Sequence, residues 1–531
     1  MPVEQPSSHD TTIPAGAEMD LRTGTLPTRI TPRAARLMVG VFLLLIFGLP
    51  LMQTAWEWSQ QRPLGAGQLL ARFQATDAHR FETELARQSY PRTLVQPWVQ
   101  YGLTSWGGFG NDQVVVGRDG WLFYQPGLDY VSGYDLTDPG RLRARHKKMR
   151  DAGERDWQAD PRPAILRFHQ DCLTAGVRLV LLPIPDKAGM QPAQLSSRLA
   201  NYEGPPLANH AYQSLLAELR QQGVEIFDPT PLVCSARDVR YLRQDTHWTP
   251  EYMTQVATDL ARYLALPGER RFGAEAQVIT HTGDLVEMLG LPATQTQYPP
   301  QTVTIQRVHT ADGTEWQPIP HADILLLGDS FTNIYTDGAM GWGTAAGLGP
   351  QLARALGREL DVVARNGAGA SATRMELARR PQPFAGKKVI IWQFAARELA
   401  VGNWQVVPIA AGPTTQPATQ VAKNLTLTAE LLTAPPALDV QSTPYKNAIT
   451  ILKFRVTQIH TGSFGETEIL VSMPLMRDRQ LLPVATYQAR RQYRLELTPD
   501  EPAEVRSWQR LDRSEGDLGP VFWARTCQME P

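Results

Sequence analysis

Residues 324–333 read Ile324-Leu-Leu-Leu-Gly-Asp-Ser-Phe-Thr-Asn333. The apolar run has the length and composition of a strand buried on both faces. It ends on Gly328-Asp329-Ser330, a turn that can lift a serine hydroxyl out of the carboxyl edge of an α/β sheet. Upstream, Gln244-Asp-Thr-His-Trp248 places an acid two positions before a histidine. Nucleophile, base and orienting carboxylate are therefore all available, with the serine last in the chain.

The segments on either side repeat the same logic. Val177–Pro183, Val224–Phe227, Leu360–Val363 and Val389–Phe394 are further short apolar runs. Helical spacing lies between them, at about 163–175, 206–222 and 344–357. Thr249-Pro250-Glu251 is an N-cap followed by proline at the first helical position, opening a helix to about Leu264. Alternation of this kind predicts right-handed βαβ units: a doubly wound, mostly parallel sheet with helices on both faces. Ahead of it, Val114-Val-Val-Gly-Arg-Asp-Gly-Trp-Leu-Phe-Tyr124 predicts a hairpin turning on Asp119-Gly120. Beyond a Pro/Thr/Ala-rich linker at about 406–422, the runs Ile449–Val456, Glu468–Val471 and Gln492–Leu497 predict a small β domain, sandwich or barrel. No internal repeat is present.

At 531 residues the chain exceeds what one core supports. With 52 basic against 53 acidic residues it lacks the charge of a general nucleic-acid binder. Residues 1–36 read as a disordered cytoplasmic tail, 37–56 as a transmembrane anchor and 57–110 as a stem. An α/β catalytic domain is expected at 111–405 and a β domain, carbohydrate-binding or an interaction module, at 423–531. The apolar run Leu37–Ala55 is long enough to span a bilayer. Arg29, Arg33 and Arg36 precede it, which puts its N-terminal side in the cytoplasm and the rest of the chain in the periplasm, anchored in the inner membrane. The rival reading, a cleaved signal, fits the long n-region poorly and finds no small-x-small site. Of the three cysteines, Cys172, Cys234 and Cys527, the first two could form a disulfide in an exported chain; three free thiols fit equally well.

A serine hydroxyl needs a base to become a nucleophile, and the base needs a third group to hold its tautomer. Ser330 is assigned as nucleophile, His247 as base and then acid, and Asp245 as the orienting carboxylate. The oxyanion needs preorganised donors; the Ser330 backbone N–H, Asn366 and Gly367 are the candidates, although Asn-Gly is equally a left-handed turn. Asp329 reads as a structural partner of the loop. Trp248, Tyr335 and Trp342 could stack on sugar rings, or simply pack in the core. His281-Thr-Gly-Asp284 lacks metal-ligand spacing, so neither a metal nor a cofactor is expected.

Gly117–Tyr124, Pro183-Ile-Pro-Asp-Lys187, Asp245-Thr-His-Trp248, Gly283-Asp-Leu285 and Gly328-Asp-Ser-Phe331 together resemble the signature blocks of the alginate O-acetyltransferase AlgJ/AlgX family, across roughly 111–400. The resemblance implies an SGNH-hydrolase-like domain with permuted motif order, Asp-x-His before the serine. It also implies acetylation of an exopolysaccharide, alginate or a similar polymer, in the periplasm, through an acetyl-serine. The acetyl donor would be delivered by a membrane-bound O-acyltransferase partner. Two other functions fit the same residues: a polysaccharide acetyl esterase using water as acceptor, and a non-catalytic polymer-binding or scaffold subunit of an export complex. The C-terminal β domain matches no block of the family.

Overall fold

The computed structural model describes residues 31–59, 90–410 and 425–530, apart from 152–153, 155–156, 233–237, 368–369, 437, 439, 441–442, 444, 507 and 515. The tail at 1–30, most of the stem, the linker from 411 onward and Cys234 lie outside the described residues. Cys172 is a buried free thiol. In the N-terminal unit, Pro32–Ser59 is continuously helical and, among the described residues, is the one helix long and apolar enough to cross a membrane.

In the larger unit, strands β1 (Val114–Val116) and β2 (Leu122–Tyr124) form the expected hairpin, Val114 facing Tyr124. Asp119 and Gly120 take φ of 52° and 78°, and Trp121 N donates to Arg118 O at 2.9 Å. Two consecutive left-handed residues are the turn that Asp-Gly favours between twisted strands.

The sheet that positions the site contains β3 (Arg178–Ile184), β4 (Glu225–Ile226), β7 (Ile324–Gly328), β8 (Asp361–Ala364) and β9 (Val389–Ala395). Its order is β4-β3-β9-β7-β8, and every pair is parallel. The period-2 geometry of a strand divides the apolar residues between two layers. Val180, Leu182, Leu326 and Ile391 pack with helices Pro250–Leu264 and Leu348–Leu356. Leu179, Leu181, Leu325, Leu327 and Trp392 pack with helices Pro161–Thr174 and Tyr212–Gln221. Burial on both faces explains why these strands read as unbroken apolar runs.

Three features differ from the sequence expectation. The helix expected from about 206 begins at Tyr212, after the Asn209 side chain has bonded Tyr130 O and Ala211 N and held the preceding stretch as a loop. The helix expected from 344 begins at Leu348, because Gly343 and Ala345 take left-handed φ of 96° and 51° and hold that stretch as a loop. Strands β5 (Gly273–His281) and β6 (Gln301–His309) form an unforeseen antiparallel ribbon. Among the aliphatic side chains of β6, Ile305 and Val308 are buried, whereas most of β5 is partly or fully exposed.

The C-terminal strands are β10 (Leu425–Leu431), β11 (Ala448–Thr461), β12 (Glu468–Arg477), β13 (Gln480–Leu481), β14 (Gln492–Thr498), β15 (Gln509–Asp512) and β16 (Val521–Met529). β11 pairs with β10 through its second half and with β12 through its first. β12 pairs with β16, β16 with β14, and β14 with β10. Of the two architectures expected, this closed ring is the barrel. Its interior holds Leu427, Phe454, Val471, Tyr493, Leu495 and Phe522. Register shifts within β10/β11 and β14/β16 supply the local bends that closure needs.

Candidate active site

β7 delivers Ser330 at its carboxyl end, where the chain turns into the short helix Ser330–Asn333. Neighbouring β9 holds that turn. Gln393 Oε1 accepts from Asp329 N (3.0 Å) and Thr332 Oγ1 (2.7 Å), and its Nε2 donates to Asp329 Oδ1 (2.8 Å). Asp329 also accepts from Phe331 N (2.9 Å) and Ala395 N (3.2 Å). All its bonds are to the loop and to β9, which makes it the brace of the turn. Gly328 is required by close approach: a Cβ there would stand 2.1 Å from Thr332 Oγ1 and 2.9 Å from Gln393 Oε1.

The acid–base loop folds back on itself, with Tyr241 and Trp248 bridged antiparallel. Leu242 N donates to His247 O (3.0 Å) and Thr249 N to Arg240 O (2.9 Å). The loop then enters helix Pro250–Leu264, whose N-cap Thr249 accepts from Tyr252 N. His247 Nε2 lies 2.8 Å from Ser330 Oγ, and its Nδ1 lies 2.6 Å from Asp245 Oδ1. Asp245 Oδ2 accepts from Trp342 Nε1 (3.0 Å) and Asp284 N (3.1 Å). Serine, imidazole and carboxylate thus form one continuous hydrogen-bonded line, and all three residues are buried.

Burial penalises the imidazolium of His247, but the charge of Asp245 and its hydrogen bond outweigh that, and the pKa is raised above the ordinary 6.5. Burial likewise penalises the Asp245 carboxylate. The His247 charge, with hydrogen bonds from His247, Asp284 N and Trp342, holds it below the usual range nonetheless. Asp284 behaves oppositely: burial and the nearby Asp245 charge push its pKa up to about 7. Its carboxylate accepts from Thr246 N (2.8 Å) and Thr246 Oγ1 (2.6 Å). Ligand atoms of Asp245, His247 and Asp284 lie within 4.8 Å of one another, and each already serves a hydrogen bond of the acid–base line or its support.

Of the oxyanion candidates, Ser330 and Gly367 line a cleft of about 490 Å³ together with Tyr124, Arg397 and Tyr445. Gly367 takes a left-handed φ of 63°. The Asn366 side chain accepts from Asn333 Nδ2 (2.9 Å) and donates to Asp337 Oδ2 (3.3 Å). It lines a separate cavity of about 60 Å³ beside Asp245 and His281.

The stacking role considered for Trp248, Tyr335 and Trp342 is corrected. They are 0%, 0% and 1% exposed, which leaves no ring face for a sugar. Trp248 Nε1 donates to Phe331 O (3.2 Å), Tyr335 Oη donates to Trp248 O (2.6 Å), and Trp342 supports Asp245. They knit the serine turn to the histidine loop from within the core.

Three residues near the reacting groups lack a role from sequence. Lys187 is buried, and its Nζ donates to Leu122 O (2.5 Å), Arg243 O (3.0 Å) and Asp245 O (2.9 Å), clamping the hairpin to the acid-bearing loop. Desolvation pushes its pKa down to about 7. Arg397 stands just past the end of β9, paired with Asp186 at 3.4 Å and over the Tyr124 and Phe331 rings. A charged residue directly after a buried strand was its only signal. Asp284 was legible as part of the Gly283-Asp-Leu285 block. Gly283 itself is explained by approach, since a Cβ would meet Gln244 O at 2.1 Å.

A family model described as the SGNH hydrolase-like domain of acetyltransferase AlgX matches residues 114–396. A curated protein described as probable alginate O-acetylase AlgJ, from Pseudomonas aeruginosa, is 26% identical over 316 residues, covering 55% of this chain and 72% of its own length. A protein of the same description from Pseudomonas fluorescens is 26% identical over 315 residues, covering 55% and 70%. Among solved structures, the O-acetyltransferase domain of Pseudomonas putida AlgJ aligns over 55% of this chain and 93% of that domain, at 22% identity and a TM-score of 0.41. AlgX of Pseudomonas aeruginosa aligns over 62% and 72%, at 19% identity and a TM-score of 0.38.

Proposed function

The chain belongs to the family of the SGNH hydrolase-like domain of acetyltransferase AlgX, and from that premise we propose that it is an O-acetyltransferase acting on a polysaccharide through an acetyl-serine. The observation that carries the proposal is the unbroken line from Ser330 Oγ through His247 to Asp245, at 2.8 and 2.6 Å. His247 Nε2 takes the hydroxyl proton as Ser330 Oγ bonds to the acetyl carbonyl carbon. The carbonyl oxygen gathers negative charge, with the Ser330 and Gly367 backbone N–H groups as its donors. The bond from carbon to the donor's leaving atom then breaks, and His247 returns the proton to that atom.

The acetyl-serine is resolved by the reverse sequence. A sugar hydroxyl gives its proton to His247 and bonds to the acetyl carbon, the bond to Ser330 Oγ breaks, and the proton returns to Oγ. Asp245 stays ionised throughout, fixing the Nδ1–H tautomer and stabilising the imidazolium when it forms. The relatives' description as probable alginate O-acetylases supports alginate, or a similar polymer, as acceptor. Helix Pro32–Ser59 would anchor the chain in the inner membrane with the sheet and barrel in the periplasm. A membrane-bound O-acyltransferase would supply the acetyl group there.

The test is to incubate detergent-solubilised full-length protein with an acetyl ester and alginate oligosaccharides and to resolve the products. Acetylated oligosaccharide is expected. Free acetate alone would make the protein an esterase. Polymer acetylation in cells that is unaffected by Ser330→Ala would make it a scaffold.

A further inference from the structure

Five of the C-terminal strands close a ring in the order β10-β11-β12-β16-β14, with β12 and β16 parallel and the other pairs antiparallel. Numbered one to five along the chain, they run 1-2-3-5-4 and back to 1, the strand order of an OB-fold barrel. Barrels of this kind bind oligonucleotides or oligosaccharides through one sheet face and through the loops joining strands one to two and four to five. In this protein those loops are 432–447 and 499–520. Both reach the Ser330 cleft.

From the first loop comes Tyr445, which lines the same cleft as Ser330. Its ring lies against Gly367, where an added Cβ would stand 2.8 Å from Tyr445 Cε2. From the second come Gln509, Arg510, Asp512 and Arg513, which line the same cleft. Thr443 Oγ1 donates to Gln509 Oε1 at 2.9 Å and ties the two loops together. The catalytic layer holds the second loop in turn. Arg379 pairs with Asp512 at 3.2 Å and donates to Ser514 Oγ and Asp517 O, both at 2.9 Å, while Arg513 pairs with Glu154 at 2.6 Å. The cleft therefore has one wall from the parallel sheet and one from the barrel.

We propose that the barrel is the acceptor module of this enzyme, that Gln509 and its cleft-lining neighbours on the second loop hold the polysaccharide against the acetyl-serine, and that Tyr445 on the first positions the incoming sugar hydroxyl. The proposal rests on the transferase reading and says what decides between sugar and water at the second step. In the acetyl-enzyme the Tyr445 hydroxyl, on the barrel side of the cleft, bonds the acceptor hydroxyl, while His247 Nε2 is free to take the acceptor's proton. Desolvation raises the Tyr445 pKa, so the phenol stays a neutral donor throughout.

The experiment measures, on intact protein, the ratio of acetylated alginate oligosaccharide to free acetate. That ratio reports only the second half-reaction. The KM for the oligosaccharide and its Kd by calorimetry are measured alongside. Tyr445→Phe should lower the ratio by about tenfold, the size of one lost hydrogen bond. Gln509→Ala, from the other loop, should raise KM and Kd by several-fold. Matched melting temperatures would exclude a folding defect. A ratio, KM and Kd unchanged in both variants would overturn the proposal while leaving the transferase reading intact. Acetate as the sole product of the wild type, with oligosaccharide unbound, would overturn both.

Discussion

The five-stranded parallel sheet and the C-terminal barrel solve the same problem, a strand's unpaired edges and apolar faces, in opposite ways. The sheet is covered by helices on both faces, so the interiors of its strands are mainly apolar and the candidate site lies at their carboxyl ends. The barrel removes its central edges by closure, and its strands alternate where their outer face meets solvent. β14 shows this in Gln492-Tyr-Arg-Leu-Glu-Leu497, with Tyr493, Leu495 and Leu497 inside and Gln492, Arg494 and Glu496 exposed. Residues from loops of both regions line the Ser330 cleft. The proposed functions divide the labour between them, with bond making and breaking on the sheet and acceptor placement on the barrel.

The largest expected effect breaks that division at its chemical end. Ser330→Ala should lower both transfer and ester cleavage by about 10⁴-fold or more, with oligosaccharide still bound by calorimetry. Loss of binding together with activity would show that the two regions are not separable. Next, Asp245→Asn should lower kcat by on the order of 10³–10⁴-fold by favouring the wrong imidazole tautomer. The same substitution tests the pH profile. The proposed base is neutral His247, whose pKa is raised above 6.5. Wild-type activity should therefore be present at high pH and fall as pH drops through a midpoint above 6.5. Without the Asp245 charge, the residual activity should lose that midpoint to lower pH, and an unshifted midpoint would assign the titration to another group.

Trp342→Phe removes one of the donors to Asp245 Oδ2. About a tenfold loss of kcat is expected, with the oligosaccharide KM unchanged. A raised KM instead would return Trp342 to the substrate side. The smallest effects concern the seam. Gly367→Ala must place a side chain at φ 63° and 2.8 Å from Tyr445, and should cost about 1–3 kcal/mol in denaturant unfolding. Gly465→Ala, in the loop from β11 to β12 with open space around it, should stay within about 0.5 kcal/mol of wild type. Equal effects at the two glycines would mean that the Tyr445–Gly367 contact is not tight in solution.

Much of this molecule is written locally. Each sheet strand had to be apolar along its whole length because helices cover both faces, so Ile324–Leu327 and Val389–Phe394 were legible without any partner. The turn at Asp119-Gly120 and the cap at Thr249-Pro250 are likewise properties of a few adjacent residues. The order Asp245, His247, Ser330 singled out the residues that the fold brings to 2.6 and 2.8 Å. The β5–β6 ribbon escaped because few of its side chains are buried, and Ile305 and Val308 join a core built with helices Pro250–Leu264 and Leu348–Leu356, tens of residues away in sequence. Trp248, Tyr335 and Trp342 were left open between two roles for a related reason: an aromatic beside a motif in sequence can face either the cleft or the core, and only packing chooses.

Sequence by itself determined the sheet, the membrane-length helix and the residues of the acid–base line, because periodicity, capping and residue chemistry act over a few positions. Tertiary structure alone decided that Asp284, Lys187 and Trp342 support Asp245. It also decided that Tyr445, from the barrel, lines the Ser330 cleft. Those contacts join segments from tens to more than a hundred residues apart, where no local pattern carries information about which surfaces will meet.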